Sequence, residues 1–114
     1  MGTLSISVNN KVRRVPLSRS ALLGRHAICH GVIAHQDVPL HWIEIRWLGN
    51  QWAWRALHEE GGRTRGPGKM LGDGWRACVS RGVGGKISCG EHVWIRIEEN
   101  NPPGVFAFDL GSQT

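Results

Sequence analysis

Short alternations of apolar and polar residues recur along the chain, and none has the length or the period of a helix. The segment LSISV at 4–8 alternates with period two, and KVRRVPLS at 11–18 follows it across the pair Asn9-Asn10. Two such segments around a two-residue turn predict an opening β-hairpin, because alternate side chains of a strand point to opposite faces. No stretch of ten or more residues carries apolar side chains at helical spacing, so we expect little or no helix.

A second and clearer hairpin is predicted in the middle of the chain. HWIEIRW at 41–47 and QWAWRAL at 51–57 are separated by Leu48, Gly49 and Asn50, and Gly and Asn tolerate the positive φ that a tight turn requires. The other strand candidates are HAICHGVI (26–33), WRACVS (75–80), GKISCG (85–90), HVWIRIEE (92–99) and VFAFDL (105–110). Many short strands with glycine-rich connections predict an all-β sandwich of two sheets.

Length and composition fit one ordinary domain. The chain has 114 residues, 40% of them hydrophobic and 20% charged, so we expect a single domain over 1–114 with its core at about 4–110. No apolar run approaches the roughly 18–20 residues that cross a bilayer, and the N-terminal residues do not resemble a signal peptide. We therefore expect a cytoplasmic protein with no membrane partner.

Tryptophan is frequent, with six in the chain. We interpret the rings that lie in strand candidates as part of the core between the sheets, namely Trp47, Trp52, Trp54, Trp75 and Trp94. The alternative is an aromatic platform that stacks on nucleic-acid bases, which normally requires exposed rings in a basic groove.

The chain is basic, but its charge is spread along the sequence. The formal net charge is +5 and the pI is near 9.9, yet only KVRR at 11–14 and GRTRG at 62–66 form short basic runs. Nucleic-acid-binding proteins concentrate Lys and Arg on one face or helix. The scatter therefore argues against nucleic acid as the partner, and a basic β domain that binds nucleic acid weakly is kept as an alternative.

Histidine clusters between residues 26 and 41, which raises the question of a metal. His26 and His30 have an H-x3-H spacing, and Cys29 lies between them. If 26–33 is a strand, the two histidines share one face about 13 Å apart and the cysteine lies on the other, so one ion cannot bind all three; on a helix the spacing would suit a metal. We expect structural histidines, no metal, no cofactor and three reduced core thiols at Cys29, Cys78 and Cys89.

Patterns typical of enzymes fail on inspection. GRTRGPGK resembles a phosphate-binding loop, but Met70 follows Gly68-Lys69 where that loop needs Ser or Thr, and no G-x-S-x-G occurs. The adjacent acidic pairs, Glu59-Glu60 and Glu98-Glu99, would point to opposite sides of a strand. We expect no catalytic residues and no enzymatic activity.

An ordered set of short motifs remains: LLGR (22–25), DVPLHW (37–42), a hairpin ending in RAL (55–57), GRTRG (62–66) and GGKISCGEHVWIRI (84–97). This order resembles the forkhead-associated (FHA) domain, whose loops at one end of a β-sandwich bind phosphothreonine peptides. The resemblance covers most of 4–110. It implies an all-β, FHA-like sandwich of two antiparallel or mixed sheets that acts as a protein–protein interaction module.

The resemblance implies a role for several residues. Gly24 would allow a turn, and Arg25 would reach the phosphate or the recognition loop. His41 stands at the family's motif histidine, which braces the loops from inside by hydrogen bonds. Gly62, with Arg63 or Thr64, stands at the family's Gly-Thr. The expected binding surface comprises residues 36–40 and 59–68 with Arg25, and the candidate ligand-binding residues are Arg25, Arg63, Thr64 and Arg65.

Two departures from the family pattern weaken the expected phosphate site. The residue three before His41 is Val38 instead of the phosphate-binding serine, and it has no hydroxyl to donate. The family's second Ser and its Asn fall near Glu59 and Gly61, and a carboxylate repels a phosphate. There is also a one-residue irregularity after His41. We therefore expect weakened or altered phosphothreonine recognition of a protein partner; a working phosphopeptide site built from Arg25 and the 62–66 loop is the alternative.

Overall fold

The computed structural model describes residues 2–57, 63–80 and 83–98. This part of the chain contains strands and turns but no helix, and so no helical segment capable of crossing a membrane. Its strands are β1 (Gly2–Val8), β2 (Lys11–Leu17), β3 (Ser20–Gly24), β4 (Gly31–Val32), β5 (Ile43–Trp47), β6 (Trp52–Ala56), β7 (Thr64–Arg65), β8 (Met70–Gly72), β9 (Trp75–Ala77), β10 (Val79–Ser80), β11 (Val83–Gly84), β12 (Ile87–Cys89) and β13 (Val93–Ile97).

The strands form two main sheets. The five-stranded sheet has the order β2-β1-β13-β12-β7, and the six-stranded sheet has the order β4-β3-β5-β6-β9-β8. All neighbours in both sheets are antiparallel except β3 and β4, which are parallel. A short ladder pairs β10 with β11. The predicted all-β sandwich of antiparallel or mixed sheets is confirmed.

Both predicted hairpins are present. β1 and β2 pair from Gly2↔Leu17 to Val8↔Lys11, and Asn9 and Asn10 have φ of 51° and 69°, as a two-residue turn with positive φ at both central positions requires. β5 and β6 pair up to Trp47↔Trp52, and Gly49 in the connection has a φ of 99°. The turn residues therefore set the register of the strands on either side.

The core lies between the two sheets. Alternate residues of β1 (Leu4, Ile6) and of β5 (Ile43, Ile45) are fully buried and belong to one hydrophobic cluster. Trp42 and Trp52 are the largest fully buried side chains in the described part of the chain. Of the tryptophans predicted to be in the core, Trp52, Trp54 and Trp75 are buried, whereas Trp47 and Trp94 are only partly buried.

The third strand differs from the prediction. Residues 26–33 are not a strand: turns and bends occupy 25–30, and only Gly31–Val32 pairs, as β4. The third strand is instead β3, whose Ala21 and Leu23 point into the core. Its alternation covers only two buried positions, and Leu22 between them is apolar too, so a period of two is hard to recognise there. The candidate strand 105–110 lies outside the described residues.

The three cysteines are free and buried, in agreement with the expectation of reduced core thiols. Burial raises the pKa of the Cys78 thiol to about 12 and also raises the pKa of Cys29 and Cys89. Since the thiolate is the reactive form, we expect a disulfide-exchange reagent at pH 8 to label Cys78 in the folded protein at least roughly a hundredfold more slowly than in the urea-unfolded protein. Cys29 and Cys89 should also react more slowly in the folded protein. A cysteine that reacts in the folded protein at the unfolded rate would contradict this prediction.

Candidate functional site

A groove opens at the end of the sandwich where β3 and β6 end and β5 begins. Its volume is ≈ 560 Å³, and it is lined by Arg25, Gln36, Asp37, Val38, Pro39, Leu40, His41, Leu57, Arg63, Thr64 and Cys89. We call this the loop-end groove. The lining comes from five separate stretches of the chain, which the two sheets bring to one place.

Gly24 lets one wall of the groove approach the sheet. A Cβ atom at this position would lie 2.2 Å from the backbone oxygen of Leu40, which no side chain tolerates. The backbone amide of Arg25 donates to the Pro39 oxygen at 3.0 Å, and that of His26 donates to the Leu40 oxygen at 3.1 Å. The segment before β5 is thus held directly against the end of β3.

Arg25 lies at the side of the groove. Its Nε donates to the backbone oxygen of Val38 at 3.1 Å, and the residue as a whole is exposed. No carboxylate of the described residues forms an ion pair with it. Arg25 therefore helps to fix the loop while the end of its guanidinium group remains available to an anion.

The side chain that points inward beside the loops is Trp42, one residue after His41, for which the resemblance implies the bracing role. His41 is exposed and stacks on His26 with the ring centres 5.4 Å apart. Trp42 is fully buried, and its indole Nε1 donates to the Thr64 hydroxyl at 2.9 Å. This shift by one residue accounts for the irregularity after His41.

The shift also moves the position expected for the phosphate-binding serine. Three residues before Trp42 is Pro39, and three before His41 is Val38. Val38 is fully buried and is part of the core. Neither side chain carries a hydroxyl, so the missing phosphate donor does not depend on which alignment is used.

Thr64 and Arg65 on β7 point to opposite sides of that strand. Thr64 lines the loop-end groove and accepts the hydrogen bond from Trp42. Arg65 pairs in register with Ser88 of β12 and does not line the groove. The structure thus brings together Arg25, Arg63 and Thr64 and leaves Arg65 on the outer face of the five-stranded sheet. Gly62, Glu59 and Gly61 lie outside the described residues.

A carboxylate that sequence reasoning missed occupies the groove. Asp37 Oδ1 lies 3.3 Å from Arg63 Nη1, and Asp37 Oδ2 lies 3.7 Å from His35 Nδ1. The Asp37 side chain is 14% exposed and that of Arg63 is 57% exposed. The two residues are 26 positions apart, and nothing in their local sequence indicates the pairing.

The backbone of Asp37 is held in place independently of its carboxylate. The Asp37 backbone amide donates to His35 Nδ1 at 3.0 Å. The Asp37 backbone oxygen accepts from Cys89 Sγ at 3.0 Å. The Gly90 amide donates to the Arg63 oxygen at 3.3 Å. The carboxylate therefore sits on a fixed loop beside Arg63, and it neutralises one of the two guanidinium groups that line the groove.

The histidines of the 26–41 segment bond mainly to backbone. His26 Nδ1 accepts from the Ile28 amide at 3.1 Å, and His30 Nδ1 accepts from the Leu22 amide at 3.0 Å. Within the described ranges, no three His, Cys, Asp or Glu side chains are placed to hold a metal ion together. These contacts stabilise turns, because a ring nitrogen that accepts from a backbone amide replaces a bond that the turn cannot make.

The fold is that of FHA domains. The chain is similar to the FHA domain of the CT664 protein from Chlamydia trachomatis, with a TM-score of 0.63, 9% identity and coverage of 89% of this chain and 100% of that one. It is similar to Mycobacterium tuberculosis EmbR in complex with a low-affinity phosphopeptide, with a TM-score of 0.62, 16% identity and coverage of 89% and 26%.

A third similar structure is the FhaA FHA domain in complex with the intracellular domain of Rv3910. Its TM-score is 0.61 at 20% identity, and the alignment covers 83% of this chain and 99% of that one. No family model and no curated protein matches the sequence. The likeness is therefore one of structure, and it confirms the fold that the order of motifs in the sequence predicted.

Proposed function

We propose that this chain is a non-enzymatic protein-interaction module that holds a segment of a partner protein in the loop-end groove, with weak or no dependence on phosphothreonine. The observation that carries the proposal is the Asp37 carboxylate in the groove, paired with Arg63 at 3.3 Å. Because Asp37 engages Arg63, the groove presents one available guanidinium group, that of Arg25. A phosphate dianion is normally bound by several donors.

The structures with the same fold support a protein as the ligand. The FhaA domain is complexed with a protein domain, and EmbR with a phosphopeptide. The groove of this chain also offers apolar contacts, since Leu40 and Leu57 are 48% and 40% exposed at its edge. Exposed leucines beside a few polar groups are typical of sites that bind a peptide segment.

The missing donors decide how much phosphate can contribute. Each hydrogen bond to a charged phosphate contributes about 1.5–3 kcal/mol. The serine hydroxyl is absent at both Val38 and Pro39, and Arg63 is engaged by Asp37. Loss of two such bonds corresponds to roughly two to four orders of magnitude in affinity, so we expect the contribution of phosphate to be small.

A degenerate phosphothreonine peptide library and its unphosphorylated twin test the role of phosphate. We expect fluorescence anisotropy to show a preference for the phosphorylated library of less than about tenfold. A preference above a hundredfold that Arg25→Ala abolishes would instead establish a working phosphopeptide site. That second candidate is favoured by one observation, the exposed Arg25 side chain with no acidic partner among the described residues.

The groove itself is tested with a partner once one is captured. Leu40→Asp should abolish its association, because a charge would replace an apolar contact at the edge of the groove. Leu48→Asp is the matched control, since Leu48 is a similarly exposed leucine in the hairpin connection at the opposite end of β5. Equal loss in both variants would contradict the assignment of the groove, and release of the partner by phosphatase would contradict phosphate independence.

A further inference from the structure

A basic face surrounds Trp94 on the side of the sandwich away from the core. The register of the five-stranded sheet places Val12, Ser7, Trp94, Ser88 and Arg65 in one row across it, and Arg14, Ser5 and Arg96 in the next. Lys86 precedes the inward-pointing Ile87 and so points outward. We call this surface the Trp94 face.

The cations of the Trp94 face come from four different strands or their flanks. They are Arg14, Arg65, Lys86 and Arg96. The carboxylate opposing them is Glu98, which accepts from Ser5 Oγ at 2.6 Å and from Arg14 Nε at 2.8 Å. These two hydrogen bonds lower the pKa of Glu98, so the carboxylate stays ionised and holds Arg14. Arg65, Lys86 and Arg96 form no ion pair with the described residues.

Two of the free cations lie against the indole ring. Lys86 Nζ is 4.4 Å from the ring centre of Trp94, and Arg96 Cζ is 5.7 Å from it. The neighbours of Trp94 across the sheet are the buried Ser7 and the partly buried Ser88. An aromatic ring on a sheet surface, flanked by Lys and Arg, is an arrangement with which proteins contact single-stranded nucleic acid.

We propose that the Trp94 face binds single-stranded nucleic acid, with Arg65, Lys86 and Arg96 on phosphates and Trp94 against a base. Charge complementarity favours an anionic polymer. Lys86 covers the ring through a flexible four-carbon chain, so it can move to a phosphate when a base takes its place. This site is separate from the loop-end groove and does not depend on what the groove binds.

The composition of the face favours nucleic acid over an acidic protein. Protein–protein interfaces normally bury an apolar centre surrounded by a polar rim. Among the described residues of the Trp94 face, Val12 is the strongly exposed aliphatic side chain, and it lies at the margin of the face on β2. The other exposed apolar side chains of the described residues lie outside this face. The face is instead rich in cations, which contact phosphate.

A fluorescently labelled oligothymidylate of about twenty nucleotides tests the proposal by anisotropy. Three neutralised phosphates predict a salt slope of about −2, so the affinity should fall about twentyfold between 50 and 200 mM salt. Trp94→Ala should weaken binding about 5- to 100-fold, and Trp94→Phe should retain much of it because a ring remains. Circular dichroism of each variant shows whether it is folded.

Charge-reversal variants distinguish binding at the Trp94 face from general attraction to a basic protein. Lys86→Glu with Arg96→Glu should weaken binding at least twentyfold, whereas Arg19→Glu with Lys69→Glu, the same change of charge at exposed sites off the face, should weaken it less than about fivefold. Equal losses in the two double variants would overturn the proposal. So would an absence of binding at 50 mM salt, or a polyglutamate peptide of equal charge that binds as tightly as the oligonucleotide.

Discussion

Trp42→Ala should lower the free energy of unfolding by about 3–5 kcal/mol, a large share of the about 5–15 kcal/mol that stabilises a typical domain. The ring is fully buried in the cluster between the sheets. The Trp42 backbone amide donates to the Leu23 backbone oxygen at 2.8 Å, and the Trp42 backbone oxygen accepts from the Leu57 amide at 2.8 Å. The cavity would therefore open where β3, β5 and β6 are held together, and urea unfolding followed by circular dichroism measures the loss.

Two further variants separate the volume of the ring from its hydrogen bond. Thr64→Val keeps the shape of the side chain but leaves the buried indole N–H without its acceptor, which costs about 1–3 kcal/mol. Trp47→Ala is the matched control, because that tryptophan is only partly buried and lies at the far end of β5, the strand that begins directly after Trp42. If Trp42→Ala costs no more than Trp47→Ala, Trp42 is not the brace of the loop end.

The features that the sequence predicts well are those set by neighbouring residues. Asn9-Asn10 and Gly49 favour tight turns through their own backbone preferences. A tight turn between two segments of alternating apolar and polar residues predicts a hairpin and its register. The order of short motifs then indicates which sandwich the hairpins belong to. Fold class follows from such local signals because each strand must bury one face against the other sheet.

The features that the sequence predicts poorly depend on contacts between distant residues. The 26–33 segment contains β-branched residues, but its turn is held by histidine nitrogens on backbone amides, including that of Leu22. The resemblance implies a bracing role for His41, because the family has a histidine in this motif. Only the position of Thr64, which is 22 residues away, shows which of the two side chains points inward.

Charge distribution is the clearest case of information that appears only in the folded chain. Arg14, Arg65, Lys86 and Arg96 are far apart in the sequence, so their charges look scattered. The strand order β2-β1-β13-β12-β7 is not sequential, and it places them on one face. The same sheets bring Asp37 beside Arg63, which changes the chemistry of the groove without any local motif.

Asp37→Asn should strengthen binding of the phosphothreonine library by about 10- to 100-fold. The substitution keeps the size of the side chain, removes a negative charge that repels phosphate and releases Arg63 to bind it, and one charge-assisted hydrogen bond contributes about 1.5–3 kcal/mol. The fold should be almost unaffected, because an ion pair with a largely exposed arginine stabilises by at most about 1 kcal/mol. Fluorescence anisotropy against the phosphorylated and unphosphorylated libraries measures the change.

The gain should come from the groove and not from the overall charge. Glu44→Gln is the matched control, since Glu44 is a partly buried carboxylate paired with Arg46 and Arg55, and its removal changes the net charge equally. Adding Arg63→Ala to Asp37→Asn should abolish the gain, because the released guanidinium group is what the phosphate would contact. A gain that persists without Arg63, or that Glu44→Gln reproduces, would show that Asp37 does not suppress a phosphate site in this groove.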